Sequence, residues 1–242
     1  LREILHPFRQ KETLLQMGVC ALVFIGMAVP FKVMVLIEGL TEVRPVNAVP
    51  VVAGLLFGPA GAWGCAAGNL IADLFGTFSK GSVLGFIGNF LAAYLPYKLW
   101  HFLKKGEAPN AKSHVNIVIY VLISAAGAMA TAVIIACGLD VFLGVWSRQL
   151  FTIVCLNDFL FPLFLGLPVL IVLTCDDNKV SAFMPPARAD APVLRGVALA
   201  LSVTMALGIT VMVYWGLSMS GSLLMFACGA VFLLSLAGVI LL

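Results

Sequence analysis

Residues 45–75 read PVNAVPVVAGLLFGPAGAWGCAAGNLIADLF. Apolar side chains fill this stretch on both sides of Gly58-Pro59-Ala60-Gly61. Proline removes a backbone donor and glycine permits a tight turn. The stretch is therefore expected to form two short helices, back to back. Six further apolar runs flank it, at about Leu14–Leu40, Val83–Leu103, Val115–Leu139, Leu150–Leu173, Leu194–Leu217 and Ser222–Leu242. A bilayer core asks for roughly 20 apolar residues per spanning helix, and most of these runs supply them. They are continuous, without the alternation of a membrane barrel. Of 242 residues, 62% are hydrophobic and only 10% charged, against about 25% charged in soluble domains. Mean hydropathy is +1.11. The expected fold is all-α, a polytopic transmembrane helical bundle. It divides into a six-helix core (1–175), a polar, proline-bearing cytoplasmic linker (176–193) and a C-terminal transmembrane pair (194–242).

Charge orients the bundle. With the N-terminal side inside, ten of the 14 Lys and Arg residues fall in inner segments: Arg2, Arg9, Lys11, Lys98, Lys104, Lys105, Lys112, Lys179, Arg188 and Arg195. Arg44, Lys80 and Arg148 fall outside, and Lys32 lies within the first helix. Basic loops stay cytoplasmic, so both chain ends and the 104–114 loop are expected inside. The net charge of +3 then reports topology, and no nucleic-acid partner is expected.

Chemistry of the enzymatic kind is not visible. The six cysteines form no CxxC pair, and most lie in apolar runs as small packing residues. Residues Gly106 to Ser113 look like a phosphate-binding loop at their ends, but Ala111 stands where the motif needs glycine. His6, His101 and His114 lack metal-ligand spacing. No nucleophile has a neighbouring base. The chain is expected to be no enzyme and to carry no cofactor.

Ionisable groups inside a membrane are costly and face the bundle interior. Lys32 and Glu38 fall in the first helix, with Glu42 and Arg44 beyond it. Asn47 opens the second helix, Asn69 and Asp73 lie on the third, Asn89 on the fourth, and Asn157 and Asp158 on the sixth. Trp146 and Arg148 precede the sixth. All of these fall toward the outer side, whereas the inner halves of the same helices hold almost nothing polar. Polar groups among apolar walls suit a small-molecule pocket. The candidate binding residues are Arg44, Asn47, Asn69, Asp73, Asn89, Trp146, Asn157 and Asp158. Asn69 and Asp73 are four apart and share a helix face. Asp158 needs a partner, expected in Arg148, Lys32 or a donor on the ligand. The mixture of charges suits a zwitterion or a polar heterocycle. Small-residue ridges, Gly64-Gly68-Ala72 and Ser124-Ala128-Ala132-Ala136, read either as internal packing or as a docking face.

The runs Val43 to Pro50, Gly54 to Ala62 and Gly68 to Phe75 together resemble the S components of energy-coupling factor (ECF) transporters, the membrane-embedded subunits that bind vitamins and related micronutrients. The turn between helices two and three is similar to that of the riboflavin and queuosine-precursor groups. The match covers about Val43 to Leu99 and extends loosely to Leu173. It implies a bacterial or archaeal cytoplasmic membrane and a ligand bound near the outer face. It also implies delivery by toppling with a transmembrane coupling protein and two cytoplasmic ATPases. Two features depart from the pattern: the two extra helices, and the lack of an Ala-x-x-x-Ala ridge in helix one, where Gly18, Ala21, Gly26 and Ala28 stand instead. The eight-helix count also looks like the membrane-embedded sensory domains of histidine-kinase-type signalling proteins, which is the alternative reading.

Overall fold

Proline and glycine cut this chain into helices where the apolar runs end. The computed structural model describes residues 2–32, 34–37, 41–76, 78–175, 182–183 and 192–241. Helix α1 (Lys11–Ala28) closes in a tighter turn, Val29–Phe31, that contains Pro30. Helices α2 (Ala48–Phe57) and α3 (Pro59–Asp73) meet at Gly58, whose φ of 55° disfavours any residue with a Cβ. Pro59 begins α3 where a missing N–H costs nothing. Helix α4 spans Gly81–Lys104. Helix α5 (His114–Leu143) starts on Ser113, whose Oγ accepts from the Asn116 N–H at 3.1 Å. Helix α6 (Arg148–Thr174) starts likewise on Ser147, bonded to the Leu150 N–H at 3.2 Å. Helices α7 (Pro192–Tyr214) and α8 (Leu223–Leu241) complete the chain.

Each of the eight expected segments holds a helix. Among the described residues, five stretches are long and apolar enough to cross a membrane: Lys11–Phe31, α5, α6, α7 and α8. Helix α2 is apolar but shorter. The first segment needs correction. It was expected to stay helical to Leu40, yet the helix stops at Phe31. Pro30 lacks the N–H that a continuing helix would use. The chain then forms a small antiparallel ribbon, β1 (Val35–Ile37) against β2 (Thr41–Glu42), with Val35 opposite Glu42. Lys32 therefore caps the end of the helix and is not inside it. Glu38 and the Glu42 side chain lie outside the described residues.

Two helices contain a wide π turn, Val133–Cys137 in α5 and Pro162–Gly166 in α6. Such turns free a carbonyl from the helical ladder. The Pro162 carbonyl takes the Leu167 N–H across the wide turn and also accepts the Tyr120 hydroxyl at 2.9 Å, which ties α5 to α6.

The small-residue ridges serve internal packing. A Cβ at Gly64 would stand 2.5 Å from the Met17 carbonyl oxygen, and one at Gly68 would stand 2.8 Å from the Phe24 Cβ. Helix α3 thus lies directly on α1. Ser124, Ala128, Ala132 and Ala136 are all buried in the bundle.

The end of the bundle nearest Lys104 is more polar than expected. Glu3 accepts hydrogen bonds from the Tyr97 hydroxyl and from Lys98 Nζ, both at 2.6 Å. The missed partner came from outside the apolar runs, since Glu3 lies in the helical turns before α1. Trp63 Nε1 donates to the Ile4 carbonyl at 2.9 Å. From the linker, the Phe183 N–H bonds the Leu56 carbonyl at 2.8 Å, and its ring covers Gly58. At the opposite end, buried Asp140 on α5 accepts the backbone N–H (2.9 Å) and hydroxyl (2.6 Å) of Ser220, from the turn between α7 and α8. Loop 105–113 is knotted around Glu107. Its carboxylate pairs with Lys104 at 2.7 Å and accepts from Asn116 and Asn110. Those bonds pull the Glu107 carboxyl down to about 2 from its usual 4.5. Hydrogen bonds within the loop itself fill the role that a phosphate cradle would have needed for a ligand.

Candidate substrate site

Four parts of the chain converge on one cavity at the Asp73 end of the bundle. Arg44 and Asn47 come from the segment that enters α2, Asn89 from α4, Ile135 from the π turn of α5, and Leu150, Val154, Asn157 and Asp158 from α6. The polar members reach it by helical period: Leu150, Val154, Asn157 and Asp158 step by three and four along one face. Asn47, Asn89, Asn157 and Asp158 are all buried. The cavity encloses about 30 Å³, room for a water or two, so a heterocycle enters only if its walls move apart.

Polar atoms inside it are short of partners. The side-chain oxygens of Asn47 and Asn89 are buried and accept no hydrogen bond among the described residues. The Asn89 amide nitrogen is already committed to the Gly85 carbonyl at 2.9 Å. An unsatisfied buried acceptor costs roughly 1–3 kcal/mol, and a ligand that brings N–H groups would recover it. Asp158 adds a third acceptor, and the Arg44 guanidinium is the cation that acts on it. Arg44 supplies donors. The site therefore offers acceptors on three sides and one planar cation.

Behind Arg44 runs a second layer. Arg44 Nη2 donates to Asn69 Oδ1. Asn69 Nδ2 donates in turn to Asp73 Oδ2 at 3.4 Å. Lys32 Nζ pairs with Asp73 Oδ1 at 3.0 Å, and both side chains are about nine-tenths buried. Gly85 makes room for this layer, since a Cβ there would meet Asn69 Nδ2 at 2.9 Å.

Of the eight residues picked from sequence, Arg44, Asn47, Asn89, Asn157 and Asp158 line the cavity. Asn69 and Asp73 stand one layer back, linked through Arg44. Trp146 does not line it and packs half-buried on the apolar core. The expected partners of Asp158 differ as well. Arg148 is exposed and Lys32 is bound to Asp73, which leaves Arg44 as the facing charge. The apolar wall of Ile135, Leu150 and Val154 escaped sequence reading, because an apolar residue in an apolar span carries no signal.

A protein-family model described as QueT transporter matches residues 14–175. The chain belongs to the QueT transporter family. QueT proteins are S components of ECF transporters, for queuosine precursors. The chain is thus a multi-pass membrane subunit that binds a small micronutrient for an ECF-type importer, and is not an enzyme. It works with a coupling protein and ATPases. The QueT match includes every residue lining the cavity and ends where α6 ends. No curated protein and no solved structure matches the chain.

Proposed function

We propose that the cavity among Arg44, Asn47, Asn89, Asn157 and Asp158 captures the micronutrient from the outer side of the membrane, and that the ligand is a queuosine precursor. The reading is carried by one observation: buried acceptors on α6, α4 and the start of α2 face the same small space as one arginine. A polar heterocycle with several N–H groups complements that set. The bias of basic residues supports the outer placement, because it puts the 104–114 loop and both chain ends in the cytoplasm. The ligand-binding unit is residues 1–175, with 194–242 as an accompanying helical pair.

Calorimetry with free queuosine-precursor bases on the purified chain tests the reading. Asp158→Asn and Asn89→Leu should each weaken binding at least tenfold, about 1.4 kcal/mol, in protein that stays folded. Wild-type affinity in both variants would place the ligand elsewhere.

A further inference from the structure

Two glycines bring helix backbones into contact midway along the bundle. A Cβ on Gly54 would stand 2.1 Å from the Ala93 carbonyl oxygen, so α2 and α4 touch there. A Cβ on Gly61 would stand 2.1 Å from the Ala53 carbonyl oxygen, which fastens α3 to α2 as one hairpin. Helices in such contact can tilt about it, but parting them forfeits the dispersion contacts of the whole seam. Gly54 against Ala93 is therefore a fulcrum. On its outer side stand Asn47 and Asn89, roughly 10 Å and 6 Å along their helices at 1.5 Å per residue. On its inner side stand Gly58 and Tyr97, each roughly 6 Å away.

A side chain from the linker is lodged between the inner ends. The Phe183 N–H bonds the Leu56 carbonyl at 2.8 Å. Its ring lies 2.6 Å from where a Gly58 Cβ would be, and 6.0 Å, centroid to centroid, from the Tyr97 ring. Tyr97 is held in place, since its hydroxyl donates to Glu3 at 2.6 Å and its ring packs edge-on against His101. The His6 ring backs Phe183 at 5.8 Å. Across the fulcrum the outer ends are drawn together, around a cavity of about 30 Å³. We infer that Phe183 is a wedge: by filling the space between the inner ends of α2 and α4, it keeps their outer ends together and the cavity shut. When the ring withdraws, the inner ends close on the fulcrum, and Asn47 and Asn89 separate to admit a ligand. By reciprocity, a ligand that holds the cavity open loosens Phe183. The wedge comes from the linker, beyond the residues that match the QueT model. Its meaning for uptake rests on the cavity being the ligand site, but the lever itself is testable without a ligand.

The test reads cavity opening by thiol labelling. Val154 lines the cavity. Val154→Cys, in a full chain whose six native cysteines are replaced by serine or alanine, reports each opening through its labelling rate by a small methanethiosulfonate. Phe183→Ala in that chain should raise the rate roughly tenfold, within the range open to a minor state populated at about 0.1–10%. Phe183→Leu, a shorter wedge, should fall between. Phe8→Ala controls for general loosening, because the Phe8 ring packs on Trp63 at 5.4 Å, at the same inner end but off the lever. An unchanged or slower rate in the Phe183 variants overturns the inference, and so does an equal rise in Phe8→Ala. Should Phe183→Ala yield no folded protein, Phe183→Leu alone carries the comparison. None of these outcomes touches the ligand reading, which calorimetry decides separately.

Discussion

Asn47 and Asn89 were visible from sequence because amide side chains are conspicuous in apolar helices. Their unsatisfied oxygens were not, since that depends on who stands opposite. The same holds for Asp73. Its spacing from Asn69 announced a shared face, but only the fold reveals that Asp73 faces Lys32 and supports Arg44 from behind. Trp146 misled because an aromatic beside a polar cluster can as easily complete the core. Gly166 offers a sharp test at this scale. An added Cβ would come within 2.6 Å of the Tyr120 hydroxyl, which donates to the Pro162 carbonyl. Gly166→Ala should destabilise the protein by about 1–3 kcal/mol through overpacking. Tyr120→Phe in the same chain should relieve part of the clash, and paired unfolding curves would measure it.

Helix positions follow the apolar runs closely, because burying the backbone in lipid leaves helices as the only open structure that satisfies every N–H and C=O. Ends are another matter. Hydropathy carried the first helix on to Leu40, but Pro30 closes it at Phe31 and the chain turns into the β1–β2 ribbon. The π turns were equally hidden, and one of them puts Ile135 into the cavity wall. Loop 105–113 gives a pH prediction. The folded Glu107 carboxyl sits at about 2, against 4.5 when unconstrained. Its contribution to loop order is therefore full above about 4.5 and lost as pH falls toward 2. The protection of the Asn110 and Lys112 amides, measured as exchange relative to the intrinsic rate at each pH and followed downward from pH 5, should fall across that window. Glu107→Gln should show low protection throughout and flatten the profile.

At the scale of the whole molecule, orientation is the first thing to check. Asn110→Cys in intact cells should resist a membrane-impermeant thiol reagent added outside, and should label once the membrane is opened. Efficient labelling from outside would invert the topology. Dependence on partners comes second. Vesicles that contain this chain alone should bind ligand without concentrating it, because the sequence carries no complete phosphate-binding loop and an S component works with separate ATPases; accumulation against a gradient would contradict its role as a subunit. The six-plus-two division read from the sequence looked like a core and an appendage. The Ser220–Asp140 bonds, and the Phe183 contact from the linker, join the two parts more closely than hydropathy could indicate. Removing residues 176–242 should strip Asp140 of both donors. Asp140→Asn should then raise the Tm of the truncated chain while lowering that of the full one.

That bond also sets a timetable for synthesis. Asp140 leaves the ribosome 80 residues before Ser220, a delay of roughly 4–16 s at ordinary translation speeds. Until then the carboxylate at the rim of α5 must stay hydrated, and the wall of α5 against which α7 later packs stays open to lipid. The last two helices therefore act on the nascent chain as a closing step, and a pause in translation between α6 and α7 would strand the membrane insertion machinery with a nearly finished protein whose final charge is still waiting for its cap.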